Sequence, residues 1–351
     1  MARTPFGVEH VSGPRHLDLD ATDVVAVTIV RDGEFHVESF VASHLALGVS
    51  HVVLLDNGSA DRTVSVAQQF DHVTVLRTLL PYGQYKHVLR RWLFDRFSGR
   101  GWCLMLDIDE RFDYPLSDRL GLRGFVGYLR RRGYTGVVGQ MLDLFPDGPP
   151  AAWPRTAQEM TAECRWYDHS ALERVPYQPS SGVQLPATAL YRYRGGIRKA
   201  VFGAGVDLTK HPLLWRAGGA RPSLHSSHEC DRASLADVTC LIKHYKFVAG
   251  FRQRVEEAVH RRQYYRGSSE YRTYLATLDS RPDLVLRNAT ARRFDTVDEL
   301  VASGFLTISQ ACLDHVGALT VRQAGASHTS PPAAAPPSPA RWHGGTADPT
   351  R

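Results

Sequence analysis

Lysine is scarce in this chain. Of 42 basic residues only Lys86, Lys199, Lys210, Lys243 and Lys246 are lysines, and the rest are arginines. Genome base composition produces such a skew as readily as function does, so a net charge of +6 does not by itself mark a nucleic-acid binder. Long apolar runs are missing too. No stretch of about 18 apolar residues exists, which excludes a transmembrane helix. The opening MARTPFGVEHVSGPRHLDLDATD has no apolar segment, so no secretory signal is expected. Cys103, Cys164, Cys230, Cys240 and Cys312 show no CxxC spacing. They read as reduced thiols, not as a disulfide framework or a zinc site, and lead us to expect a cytoplasmic protein.

What is present is a globular composition. The 351 residues are 43% hydrophobic, with 14 Phe, 14 Tyr and 6 Trp, enough to bury a large core. The body opens on strand–helix alternation. VVAVTIV (Val24–Val30) is a β-branched run of strand length. Behind it, EFHVESFVASHLALG spaces Phe35, Val37, Phe40, Val41, Leu45 and Leu47 for an amphipathic helix, with Gly48 as C-cap. HVVLLD, HVTVLR and GWCLMLDID predict further strands, and TVSVAQQF and YKHVLRRWLFDRF the helices between them. Short connections between alternating elements predict an α/β fold with a mostly parallel sheet flanked by helices in a single main domain.

Further on, FVGYLRRRG reads as a helix, GVVGQMLDLF as a strand, and 146–186 as a long Pro-rich stretch with few elements. FVAGFRQRVEEAVHRRQYY reads as an amphipathic helix covering the sheet. The expected divisions are a flexible arm (1–22), two halves of one domain (23–112 and 113–275), a helical segment (276–325) and a disordered Pro/Ala-rich tail (326–351).

The strongest chemical signal is LMLDIDE. Asp107 and Asp109 stand two residues apart where a buried strand gives out, and strand alternation would aim both to one side. Carboxylates there need a cation or donors. A divalent ion shared with a diphosphate is such a partner, since Mg²⁺ takes one or two carboxylates plus phosphate oxygens. Strand exits are also where open α/β sheets bind ligands. The second signal is LLDNGSADRT (54–63), in which Asp56 ends a strand, Gly58-Ser59 turn the chain, and Asp61 and Thr63 can cap the next helix. RGGIRKAVFG sets Arg198 and Lys199 behind a flexible Gly pair, and LTKHPLLW holds Lys210 between apolar anchors. Guanidinium and ammonium groups suit diphosphate oxygens. LHSSHEC and LIKHYKF add His225, His228 and His244.

The DNGSADRT turn, followed later by a strand ending in DxD, resembles the family 2 glycosyltransferases with the GT-A fold. LDIDERF, with Trp102 before it, is similar to the family 2 subgroup reading DxDEF and to the family 92 enzymes. The match covers roughly 24–112 and continues more weakly to about 274. The resemblance implies a GT-A-like, Rossmann-related domain that moves one sugar from a nucleotide-sugar donor to an acceptor hydroxyl, with inversion and with Mn²⁺ or Mg²⁺. It implies that Asp56 reads the base, that Asp107 lies near the ribose and metal, and that Asp109 holds the metal on the diphosphate. His244 would complete the metal shell, and Arg198 and Lys210 would face the diphosphate. The acceptor would be a carbohydrate, a lipid-linked group or a small molecule.

The chain departs from that family twice. It lacks the Q/R-x-x-R-W segment of processive synthases, which favours single-sugar transfer. It also lacks the Glu-Asp pair that supplies the general base. Asp143, Asp168 and Glu229 are then the base candidates, with Asp143 first because its strand should neighbour the DxD strand. Three rival readings fit the pattern less well. A phosphatase would carry its DxD near the start of the domain. A nucleotidyltransferase would want a Gly-rich loop where Val30-Arg31-Asp32-Gly33 stands. A catalytically dead carbohydrate-binding protein sits poorly with intact Asp56, Asp107 and Asp109. The basic stretches LRRRG and VHRRQYYRG read as solvated faces, or as acceptor or inner-membrane-surface contacts, so no nucleic-acid partner is expected.

Overall fold

The computed structural model describes residues 7–98, 101–216, 222–262 and 265–327. Nine strands form one mixed sheet: β1 (Glu9–Ser12), β2 (Val24–Val30), β3 (His51–Asp56), β4 (Val73–Arg77), β5 (Trp102–Met105), β6 (Glu110–Asp113), β7 (Gly136–Asp143), β8 (Thr209–Trp215) and β9 (Cys240–His244). Their order across the sheet is β1-β4-β3-β2-β5-β8-β7-β9-β6. Strands β2, β3, β4, β5, β7 and β9 run one way, while β1, β6 and β8 run against them.

The central strands are apolar on both faces because both faces are covered. Val24, Ala26, Val52, Leu54, Trp102 and Leu104 enter one core with helices α1 (Glu34–Leu47) and, further along, α4 (Leu122–Arg131). Their neighbours Val25, Val27, Val53, Leu55 and Cys103 enter the opposite core, against α3 (Tyr82–Phe97), which follows the short α2 (Thr63–Ala67). A third core joins α6 (Ile197–Phe202), α7 (Phe251–Arg261) and α8 (Tyr265–Ser280) through Phe202, Phe247, Phe251, Val255 and Tyr274. Helix α5 (Ala157–Glu163) lies within the Pro-rich stretch, and α9 (Val297–Ala302) and α10 (Gln310–Ser327) follow. Among the described residues, no helix is long and apolar enough to cross a membrane.

Three expectations change. Residues 9–12 are not a loose arm: they pair antiparallel with β4, and Val8 is buried behind them. Helix α7 does not lie on the sheet but packs with α6 and α8, because Phe251 and Val255 meet Phe202 and Tyr274. Strand β7 is not beside β5, since β8 is inserted between them. The predicted tail lies outside the described residues from 328 onward.

Strand β8 is unusual in carrying Pro212 inside a sheet, where proline removes a ladder bond. Its pairing with β7 slips between Lys210 and Leu213, so the proline falls in a bulge, a device that re-aims side chains. Gly139 on β7 makes the room. A Cβ there would meet the Pro212 ring at 2.8 Å and Ile242 Cδ1 at 3.0 Å. We expect Gly139→Ala to destabilise by about 1–3 kcal/mol through overpacking, read as a lower midpoint in denaturant. An unchanged midpoint would show that the bulge can yield.

Candidate functional site

From β2 the chain steps outward to β3 and β4, then returns to place β5 on β2's other side. The exits of β2 and β5 therefore flank a topological switch point, where open α/β sheets form their ligand crevice. The two exit loops do approach one another: a Cβ built on Gly33 would lie 3.4 Å from Ile108. The mixed directions bring further groups to this edge. Asp143 and His244 end β7 and β9, while Lys210 is the second residue of the opposed β8 and Glu110 the first of β6. In register, His244 faces Asp143 on one side and Glu110 on the other.

The two DxD aspartates do not share one environment. The chain turns after β5, with Glu110 N–H donating to Asp107 O at 3.0 Å. That turn breaks the strand alternation, and each carboxylate takes its own partners. Asp107 accepts from Arg90 of α3 at 2.5 Å and from Lys210 at 2.7 Å. Lys210 also reaches Glu110 at 2.5 Å, and Glu110 accepts from the Asp107 amide at 2.9 Å. Burial works to raise Asp107, but Lys210 and Arg90 overcome it and hold the carboxyl below the usual range. Glu110 is raised, because burial outweighs the Lys210 charge.

Asp109 belongs to a second chain of contacts. His244 Nε2 stands 3.2 Å from Asp109 Oδ2, and His244 Nδ1 stands 2.5 Å from Asp143 Oδ1. An ionised carboxylate only accepts, so Nδ1 carries a proton toward Asp143. Asp143 Oδ2 accepts from Arg198 Nε at 2.8 Å, and Arg198 Nη1 continues to Glu270 on α8 at 3.3 Å. Burial alone would lower His244, yet Asp109 and Asp143 outweigh it and raise the imidazole to about 9. Burial likewise opposes Asp143, but Arg198 and His244 bring it down to about 2. Both Asp143 oxygens are engaged and the side chain is 3% exposed, which suits a positioning group better than the general base expected of it.

The turn itself is stitched in place by Arg111. Its guanidinium donates to Ile108 O and Glu110 O, both at 2.9 Å, to His36 O at 3.2 Å, and to the Ser39 hydroxyl. The DxD turn is thereby tied to the first turns of α1. The Tyr245 amide holds Asp109 O at 2.9 Å.

Asp56 ends β3 fully buried, accepting from the Ser59 amide at 3.0 Å and pairing with Arg77 at 3.1 Å. It thus braces the Gly58-Ser59 turn. Asp61 does not cap α2 alone. It accepts from Thr63 N–H at 2.9 Å and from Glu34 N–H at 2.9 Å, so it also caps α1 across the crevice. Lys210 and Arg198 both reach the cluster, Arg198 because Gly195 (φ 92°) turns tightly against Ala171, whose carbonyl would lie 2.4 Å from any Cβ. The remaining candidates lie elsewhere. Lys199 pairs at the surface with Glu173. Asp168 is latched to Ser170, Asn288 and Thr290. Glu229 is exposed on the short strand Glu229–Asp231. His228 Nδ1 faces Thr209 O at 2.7 Å, near Lys210 but outside the carboxylate set. The side chain of His225 lies outside the described residues.

The cluster also contains residues that the motifs did not indicate: Arg90, Arg111, Glu270 and Tyr271. Burial, with the charges of Glu270, Asp109 and Asp107 behind it, pushes the Tyr271 phenol up. Tyr82, Lys86 and Arg90 recur every fourth residue in YGQYKHVLRR, the signal that could have found Arg90. Glu270 lies in no motif.

Asp109 and His244 fit a divalent ion as a pair. Mg²⁺–ligand distances of about 2.0–2.1 Å put adjacent octahedral ligands about 3 Å apart, close to the 3.2 Å between Nε2 and Oδ2. The Asp143 contact at Nδ1 is the outer-shell carboxylate that metal-bound histidines usually carry. Asp107, held by two cations, fits less well. Among the described residues no three His, Cys, Asp or Glu side chains form a ready cage. An ion here would draw its other ligands from substrate and water, as Mg²⁺ commonly does.

The chain matches no family model and no curated protein sequence.

The His244 contacts have a consequence for stability. A group whose pKa rises from 6.5 unfolded to about 9 folded stabilises fully below about pH 6.5 and loses that contribution as pH climbs toward 9. We expect the metal-free protein to lose about 3 kcal/mol across that window, and His244→Gln to flatten the loss. Melting curves from pH 6 to 9.5 test this; equal slopes in both proteins would contradict it.

Proposed function

We propose that the chain is a metal-dependent glycosyltransferase of GT-A-like fold, which moves one sugar from a nucleotide-sugar donor to an acceptor hydroxyl with inversion. The observation that carries this reading is the meeting of Asp107 and Asp109 with Lys210, Arg90 and His244 at the switch-point crevice. That is a site of paired carboxylates and fixed cations, suited to a diphosphate and a divalent ion. The braced turn after Asp56 lies two strands from the DxD at the same edge and would face the base.

Asp109 and His244 would hold Mn²⁺ or Mg²⁺, with Asp143 fixing the imidazole. When bound, the ion supplies charge neutralisation for the departing nucleoside diphosphate. Lys210 and Arg90 add preorganised positive charge on the Asp107 side. As the acceptor oxygen attacks the anomeric carbon, the sugar–diphosphate bond breaks on the opposite face and the hydroxyl proton must pass to a base. We assign that task to Glu270. Its Oε1 is held by Arg198 and Tyr274, and Oε2 lies outside both contacts. The acceptor would be a carbohydrate, lipid-linked or small-molecule hydroxyl, and the setting cytoplasmic, with peripheral contact at the inner membrane face an extension of that reading.

The test is a panel of nucleotide sugars, assayed with and without Mn²⁺ for thermal stabilisation and for release of nucleoside diphosphate. We expect a metal-dependent response to at least one donor. Asp109→Ala should lower turnover at least about 100-fold in a protein that still melts cooperatively, at a lower temperature because His244 loses a partner. Glu270→Gln should lower kcat by roughly 10²–10⁴-fold with donor KM unchanged. Full activity of Asp109→Ala with saturating donor would sink the metal assignment, and silence of the whole panel would sink the reading.

A further inference from the structure

Away from the crevice, the β1–β4 edge of the sheet holds a pocket that the candidate site does not use. It encloses about 120 Å³ against α3, space for roughly eight to twelve waters at about 10–15 Å³ each. Its floor is apolar, with Val8 and Leu76 buried, and one wall is the half-buried Trp92 indole. Across the sheet, β1 stands four strands from β5, a lateral distance of about 19 Å. The rim is built by a turn. After β1 the chain reverses at Gly13 (φ 81°), where any Cβ would clash with the Val73 carbonyl. Pro14 O then accepts from Thr74 Oγ1 at 2.9 Å, and Arg15 O accepts from Arg96 Nη2 at 3.3 Å. These bonds pin the turn to β4 and to α3, and they bring Arg15 and His16 to the same pocket as Arg96. The backbone is fixed while the charged heads stay unused. Among the described residues, the Arg15 and His16 side chains make no hydrogen bond or ion pair. Arg96 meets only that carbonyl and the Trp92 and Phe97 rings. Glu9 is the one acid of the lining, and it pairs with neither arginine.

We propose that this pocket binds a small phosphate monoester with a flat or apolar body, at a site separate from the crevice. Two guanidiniums match a doubly charged group, since each presents a fork that takes phosphate oxygens in pairs. A carboxylate would fill only one fork. The body lies on Trp92 over Val8 and Leu76, because an indole face and an apolar floor favour a ring over a hydrated chain. The pocket's size limits that body to about one ring. The turn and the Arg96 head are held before any ligand arrives, so little ordering is left to oppose binding. The inference does not rest on the glycosyltransferase reading, and none of its residues belongs to the carboxylate cluster.

Calorimetric titration of the full chain with phenyl phosphate, orthophosphate, benzoate and phenol tests this, in EDTA so that no divalent ion recruits phosphate to the crevice. We expect phenyl phosphate to bind at least tenfold more tightly than orthophosphate or benzoate, and phenol to give no signal. Arg15→Gln and Arg96→Gln should each weaken phenyl phosphate about tenfold at unchanged melting temperature, since both side chains are exposed. Arg281→Gln, which removes an exposed arginine just after α8, should leave binding as it is. No phenyl phosphate binding, or binding that ignores both Arg15→Gln and Arg96→Gln, overturns the site. An equal loss in Arg281→Gln would reduce it to general charge attraction and overturn it too. Benzoate as tight as phenyl phosphate would overturn the choice of phosphate, and orthophosphate as tight would overturn the place given to the ring.

Discussion

His244 is held between two carboxylates, and most of the candidate site depends on that arrangement. Asp109, His244, Asp143, Arg198 and Glu270 form one chain of contacts running from the exit of β5 through β9, β7 and α6 to α8. Removing one member of a buried ion pair leaves an uncompensated charge, at a cost of about 3–5 kcal/mol. Five elements that adjoin only in part are therefore coupled in position. The register is part of the same constraint. His244 lies opposite Asp143 and Glu110 at once, and a one-residue slip of β9 would turn its side chain to the other face.

The site divides electrically into two parts. Around Asp107 the partners are fixed cations, Arg90 and Lys210, which no ordinary pH discharges. Around Asp109 the partner is an imidazole, the one cation here that can release its proton to become a metal ligand. The turn that separates the aspartates lets a single DxD serve both. Arg111, clamped to His36 O and Ser39, keeps that turn from relaxing back into a strand. Permanent charge on one side and exchangeable charge on the other suit a ligand that arrives with both an anion and a cation.

Much of this fold was legible because its strands are short β-branched runs buried on both faces and its first helices carry apolar stripes. VVAVTIV and HVVLLD read as strands without any tertiary information. The element order beyond Asp109 was harder. TKHPLLW contains a proline, which speaks against a central strand, and only Gly139 and the bulge opposite make the insertion of β8 intelligible. The N-terminal segment 9–12 lacks a strong pattern because an edge strand buries only one side. Asp107, Asp109, Lys210, Arg198 and His244 were visible as chemistry-bearing residues at strand or turn positions. Glu270 was not, since a glutamate on a helical face becomes informative only when Arg198 is seen to reach it. A base role for Asp143 requires β7 to adjoin β5. With β8 between them, Asp143 reaches the DxD only through His244.

The same geometry bears on the rival reactions. A phosphatase of the DxD kind would need its first aspartate as nucleophile, yet both Asp107 oxygens face cations at 2.5 and 2.7 Å. Those contacts drain the basicity on which carboxylate attack depends. A nucleotidyltransferase would cradle phosphates in backbone amides after β2. Here the amides of Asp32, Gly33 and Glu34 are already committed to Ser59, Thr63 and Asp61. That commitment locks the β2 exit to the turn after β3, which leaves the crevice to be lined by side chains and not by a loop. An anion entering this site would be met by Arg90, Lys210 and any cation that Asp109 and His244 were to hold. Neutralising a diphosphate is common to sugar transfer and nucleotidyl transfer, so what speaks against the latter is that the amides after β2 are already bonded to side chains.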